Sequence, residues 1–301
     1  MNNDGHNHST TSKNLIWSIG INIIIVITEL ILGVLARSMA LISDALHNFA
    51  DVGSMTLSWW GEKVSAQPNT NQKTYGYKRA EIIIAFINAA VLLGVSGLVL
   101  VESIMRLFHP ENVVGSTMFF MAIVALIGNG IATYLLQTGA DKNLNLKSAW
   151  LHSMQDALFS LGVVIGAIII YYTGWNWVDP IISIVVSIFL LKEVYEILVE
   201  SVNMLMDSVP KDLDFDEIKK SITRFKGIKN VNDLHIWQTG SEDRFLSAHL
   251  LVEEISGTER IKILAEVMEL LKEKYEIHHS TLQIVSEQEI KEIGLECEHC
   301  N

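Results

Sequence analysis

Charge is scarce in this 301-residue chain. Only 19% of residues are Asp, Glu, Lys or Arg, and half are hydrophobic, whereas soluble domains carry about a quarter charged residues. The shortage is confined to the first two-thirds: residues 1–206 hold 10 Lys+Arg and 14 Asp+Glu, while residues 207–301 hold 12 and 20. The chain therefore reads as a membrane part followed by a soluble, acidic part. An acidic balance speaks against nucleic acid as a partner. Cysteine is nearly absent, and the two present, Cys297 and Cys300 in "CEHC", cannot build a disulfide framework. The opening "MNNDGHNHSTTSKN" lacks a basic n-region and a small-residue cleavage site, so the first apolar run is expected to stay in the bilayer. There is no Gly-rich phosphate loop to suggest an ATPase, and no His-Glu-x-x-His to suggest a zinc hydrolase.

Apolar runs are abundant instead. A membrane helix needs about 20 mostly apolar residues. Six runs qualify, at Leu15–Ala36, Met39–Val64, Glu81–Leu107, Val113–Leu136, Leu146–Tyr172 and Val178–Met206. The short "TGWNW" link makes the last two a tight antiparallel hairpin, and Trp59, Trp60, Trp175 and Trp177 fall near run ends, where aromatic rings favour the interface. Lys13, Lys63, Lys73, Lys78, Arg79, Lys142 and Lys147 lie on one side of this topology, against Arg37 and Arg106 on the other. The excess places both termini in the cytoplasm. After Pro210 the pattern changes to helix Asp214–Phe225, strands Val231–Gln238 and Arg244–Glu253, helix Thr258–Tyr275 and strand Ser280–Val285. This αββαβ order predicts a small α+β domain with its helices on one face of the sheet. The expected division is an arm over 1–14, an all-α six-helix transmembrane domain over 15–207, a cytoplasmic α+β domain over 208–290 and a tail over 291–301.

Within the second run, "SDALHNFADV" holds His47 and Asp51, four apart and hence on one helical face. The fifth run repeats the spacing with His152 and Asp156 in "WLHSMQDALF". An Asp at a membrane helix centre costs about 2.5–3.5 kcal/mol on insertion scales, and intramembrane ionisable residues mark ion paths. Two such helices face to face bring together two nitrogen and two oxygen donors. That set suits tetrahedral Zn²⁺, while Mg²⁺ and Ca²⁺ prefer all-oxygen sites of higher coordination. Co²⁺ and Cd²⁺ are plausible guests. Asp44 falls near the outer end of its helix, where it reads as a hydrated mouth residue. Asn22, Glu29, Asn88, Glu102 and Asn129 are accounted for by interhelical hydrogen bonds.

The segments "LISDALHNFADVGS", "TYGYKRAEIIIAFINA", "SAWLHSMQDALFSLGVV", "WVDPIISIVVSIFLL" and "DLHIW" resemble the cation diffusion facilitator family of zinc transporters, across nearly the whole chain. The resemblance implies that His47, Asp51, His152 and Asp156 form the transport site. It also implies a homodimer that exchanges metal for protons and exports from the cytosol. The expected location is a bacterial plasma membrane. Family members with His in the second-span pair favour zinc, and those with Asp there accept cadmium too. The soluble domain would have a copper-chaperone-like fold that binds further metal, with His249 and His278 as candidate ligands. A family His before the "DLHIW" motif is replaced by Asn232. The resemblance further implies a link between subunits from Arg79 to Asp207, and a C-terminal pair that reaches the neighbouring subunit; the spacing of Cys297, His299 and Cys300 makes them candidate metal ligands, with a partner surface supplying the rest. The histidine-rich loop of some animal relatives is absent, since "QTGADKNLNLK" has no His. His6 and His8 are candidate capture residues on the arm. The expected activity is zinc efflux by metal/proton antiport, with Cd²⁺, Co²⁺ or Fe²⁺ as other cargo. A membrane metal sensor without flux and an intramembrane zinc hydrolase are the competing readings.

Overall fold

The structure, a computed structural model, describes residues 23–24, 26–140, 144–240 and 243–289. The helices are α1 (Val26–Ala36), α2 (Met39–Ser65), α3 (Arg79–Phe108), α4 (Gly115–Ala140), α5 (Leu144–Thr173) and α6 (Val178–Leu205). They are followed by α7 (Phe215–Thr223), β1 (Ile228–Gln238), β2 (Arg244–Val252), α8 (Gly257–Tyr275) and β3 (His279–Ser286). Each expected span coincides with a helix over its described residues. Among the described residues, two helices, Arg79–Phe108 and Ser153–Thr173, are long and apolar enough to cross a membrane by themselves, and Val26–Ala36 and Gly115–Ile131 are shorter apolar helices. The chain divides into two compact units, Met1–Leu57 with Ile87–Leu198, and Ser58–Phe86 with Val199–Asn301.

The first unit is a helical bundle turned inside out relative to a soluble protein. Its contacts use small residues: Ala36, Ala40, Ala122 and Ala167 pack with Leu41, Met118 and Val163 in one cluster, and Ala50 and Ala89 with Leu92, Leu190 and Val194 in another. Its outward faces carry Leu98, Ile127, Ile165 and Ile188, all exposed. In lipid, packing of small residues and interhelical hydrogen bonds replace the hydrophobic drive. Gly115 lets α4 run close to α5, because a Cβ there would stand 3.1 Å from the Tyr171 backbone nitrogen. Serines join α2, α3 and α6: Ser183 Oγ lies 2.5 Å from Ser43 Oγ and 2.7 Å from Ser103 Oγ.

The start of α2 is held from α6. Asp179 accepts from Ser38 Oγ (2.5 Å), Met39 N (2.7 Å) and Ala40 N (3.2 Å), although it is fully buried. Those amides begin a helix and lack partners of their own. Arg37 turns the chain between α1 and α2 in the left-handed region (φ 56°), and Ser38 N reaches back to Gly33 O at 2.9 Å.

In the second unit the sheet order is β1-β2-β3, with β1 and β2 antiparallel and β2 and β3 parallel. Alternation on β2 directs Leu246, Ala248, Leu250 and Val252 into one core with Ile218 and Ile222 of α7 and Ile263, Val267 and Leu271 of α8. Both helices therefore cover the same face, as the αββαβ pattern predicts. On the other face Phe245 stacks on Trp237 (5.6 Å between centroids) and meets Tyr75 edge-on at 5.1 Å. Helix α8 begins with a capping box, Ser256 and Glu259 bonding each other's backbone.

Beyond β3, Glu289 takes both guanidinium nitrogens of Arg260 (3.0 and 3.1 Å) and the backbone N–H of Ser286 (2.7 Å). The Arg260 hydrogen bonds, then that of Ser286, hold its carboxyl at about 2, below its ordinary 4.5. A depressed carboxylate stabilises the fold above the unfolded-state value and loses that contribution as pH falls through the folded one. Glu289→Gln is therefore expected to lower the denaturation midpoint of the soluble domain at neutral pH. The gap to the parent should narrow below about pH 4.5 and close near pH 2, as read by denaturant titrations across that range.

Candidate metal site

Among the described residues one cluster of His, Cys, Asp or Glu has metal-ligand spacing. It is His47, Asp51 and Asp156, whose donor atoms all lie within 4.8 Å of one another. Helix periodicity sets His47 and Asp51 one turn apart on α2, and α5 supplies Asp156 from across the interface. The His47 ring is buried, with 1% exposure, and its Nε2 sits 3.0 Å from Asp156 Oδ1 and 4.0 Å from Asp51 Oδ2. Phe159 meets the ring edge-on at 5.7 Å. The result is a nitrogen and two carboxylates converging on one point from two helices. His152 stands on α5 one turn before Asp156, and its side chain lies outside the described set.

Other expected residues are placed differently. Asp44 is not at a hydrated mouth: it is 1% exposed and within Coulombic reach of Glu29, His47 and Asp156. Glu29 of α1 is fully buried and accepts from Asn48 Nδ2 at 3.0 Å, and Asn129 donates to Ser160 at 3.2 Å, both between helices as expected. Glu102 instead pairs within its own helix, with Arg106 at 2.9 Å. Asn22 lies outside the described residues. Glu193 on α6 was not anticipated. Its Oε2 stands 3.8 Å from His47 Nδ1, and its Oε1 accepts from Gln155 Nε2 at 2.9 Å. The available signal was an acid in the middle of the sixth apolar run.

In the soluble unit His249 lies on β2, on the face away from the helices, opposite Asn232 and in register with Gln283. His278 is exposed and immediately precedes β3. Five positions of strand separate His278 from Gln283, about 16 Å, so one chain's sheet does not bring His249 and His278 together. His235 bonds Asp233 Oδ1 at 2.9 Å, at a bulge where Asp233 has φ 51°. Cys297, Cys300, His6 and His8 lie outside the described residues.

An apolar-faced helical bundle with a His–Asp–Asp convergence around a buried imidazole, followed by a charged α+β domain, points to a membrane cation transporter. The cation efflux transmembrane domain matches residues 15–206, and the cation efflux protein cytoplasmic domain matches residues 210–287. The chain belongs to the cation efflux family. It is 35% identical over 282 residues to the metal cation efflux system protein CzcD of Cupriavidus metallidurans, covering 93% of this chain and 89% of that one. It is 34% identical over 288 residues to the cadmium, cobalt and zinc/H⁺-K⁺ antiporter of Bacillus subtilis (94% and 92%), and 33% identical over 290 residues to the zinc transporter ZitB of Escherichia coli (93% and 92%). The solved metal-bound C-terminal domain of CzcD is 32% identical over 24% of this chain and 99% of its own, with a TM-score of 0.23.

Arg79 opens α3, and its Nη2 lies 2.5 Å from Oδ1 of Asp207, which follows α6 with φ 54°. The pair that the resemblance places between subunits closes here within one chain. Both partners are about half exposed, so a coupling of about 0.2–1 kcal/mol is expected. Charge reversal at either position should impair transport, and the double reversal should restore part of it. Two additive defects in vesicle flux would show that the pair is uncoupled.

Proposed function

We propose that the protein exports zinc from the cytosol in exchange for protons, holding the ion between His47, Asp51, His152 and Asp156. The observation that carries this reading is the convergence of His47 Nε2 and the Asp51 and Asp156 carboxylates within 4.8 Å of one another in a buried setting. Two carboxylates match the charge of a divalent cation, which reduces the cost of moving it out of water. A second imidazole from His152 makes four donors, the number that tetrahedral zinc takes. With four protein ligands no coordination position is left for a hydrolytic water. A relative named as a zinc transporter and one named as a cadmium, cobalt and zinc/H⁺-K⁺ antiporter support the cargo and the counter-ion.

The mechanism follows from the donors. Metal ligation needs neutral imidazole and ionised carboxylate, so loading releases protons. Exposure to the far side lets protons return to the same atoms. Imidazole, with an ordinary pKa of about 6.5, takes one up first and weakens the site, and the ion leaves. The proton gradient then drives the cycle without ATP. The functional unit is a homodimer with both termini in the cytoplasm, in a bacterial plasma membrane. The family's cytoplasmic domain and the Lys and Arg of the links support these assignments.

Asp51→Ala and Asp156→Ala are each expected to abolish zinc flux into proteoliposomes while the protein still inserts, since each removes one donor and one charge. Wild-type flux from either, at matched amounts, would remove that residue from the site.

His47→Asp should keep zinc flux and raise the Cd²⁺:Zn²⁺ uptake ratio, because it trades a nitrogen for a carboxylate on a shorter side chain. Its flux should persist to lower pH, because a carboxylate with an ordinary pKa of about 3.9 must be protonated for release. Uptake of both ions by vesicles from acidic to alkaline pH measures this. An unchanged ratio with an unchanged pH profile would make His47 a packing residue.

A further inference from the structure

The two nitrogens of the His47 ring look in different directions. Nε2 faces Asp156 and Asp51, while Nδ1 faces Glu193 of α6. Nε2 lies 3.0 Å from Asp156 Oδ1. A metal ion on Nε2 takes the lone pair of that nitrogen, and the remaining N–H of the neutral ring then belongs on Nδ1. The group that faces Nδ1 decides how well the ring is held for the ion.

We infer that Glu193 is a positioning residue for His47, accepting the Nδ1–H of the metal-loaded ring and so presenting Nε2 to the ion. This rests on His47 being a ligand, as proposed above. Glu193 Oε2 is 3.8 Å from Nδ1, so a small side-chain displacement closes a hydrogen bond. Its other oxygen is already fixed, because Gln155 donates to Oε1 at 2.9 Å. Gln155 directly precedes Asp156 on α5, so the helix that supplies a ligand also anchors the carboxylate that orients another. Glu193 is not itself a ligand of this ion. It stands on the Nδ1 side, and it is not among the residues whose donor atoms converge. Ligating histidines generally donate their second N–H to such an acceptor, and its loss costs 10–100-fold in metal affinity. Three helices then act at one imidazole: α2 carries it, α5 shares the ion and α6 faces its second nitrogen.

The test is a double-mutant cycle in proteoliposomes, reading KM and maximal rate for Zn²⁺ at one pH in the wild type, Glu193→Ala, Glu193→Gln, His47→Asp and both His47→Asp double variants, with Asp156→Ala as control. Glu193→Ala should raise KM 10–100-fold and leave the maximal rate within about twofold, because orientation acts on binding. Glu193→Gln should recover part of that, since its amide oxygen still accepts from Nδ1–H without the charge. In the His47→Asp background neither change should move KM by more than about twofold, because no imidazole is left to orient. If the alanine variant does not accumulate in membranes, the glutamine variant alone must show a KM defect that His47→Asp erases. An unchanged KM in the wild-type background, or the same loss in both backgrounds, would overturn the assignment. Zinc flux at the wild-type level from Asp156→Ala would instead overturn the transport site, and the role of Glu193 with it.

Discussion

A charge buried inside the helical unit cannot rely on water and depends on its neighbours. That single constraint organises the bundle. Glu29 is fully buried and held by Asn48, Asp179 is fully buried and takes three donors, and the His47 ring lies between carboxylates from two helices. Isolated ions at such depth are costly, and pairing becomes favourable only with close geometry and further hydrogen bonds. The polar contacts therefore dictate which helices meet. Alanines and serines at the crossings let them meet closely.

The same constraint explains how one arrangement can both bind and release an ion. In the proposed site, the electrostatics that favour a divalent cation between Asp51 and Asp156 also favour protons there. Neither group of atoms can remain bare for long in a low dielectric. Exchange of one for the other at the same atoms is what that proposal rests on. Glu193 faces the other nitrogen of the same ring, 3.8 Å from Nδ1, and the proposal gives it a share in that balance.

Much of this was legible from residue patterns. The duplicated Leu-His-x-x-x-Asp announces itself because an ionisable pair at helical spacing is improbable in an apolar run. The strands of the soluble domain show as period-two alternation, with Leu246, Ala248, Leu250 and Val252 inward. What remained hidden depends on the azimuth and depth of helices that are distant in sequence. Asp44 sits six residues into α2, which suggests a mouth, yet it is enclosed, because distance from a helix end says nothing of what packs beside it. Glu193 shares no motif with His47; only the crossing of α2 and α6 makes them neighbours. His249 and His278 look alike as candidates, and strand register is what parts them.

The carboxylate of Asp179 fastens the first turn of α2 to the first turn of α6 through two backbone amides and a hydroxyl. A second tie follows along the same pair of helices, where Ser43 meets Ser183 and Ser187. Two fastenings at successive levels fix the register of α2 against α6 as well as their closeness. His47 lies eight residues from Met39, about 12 Å along the helix, so the height at which its ring faces Glu193 is set by contacts made about two turns away.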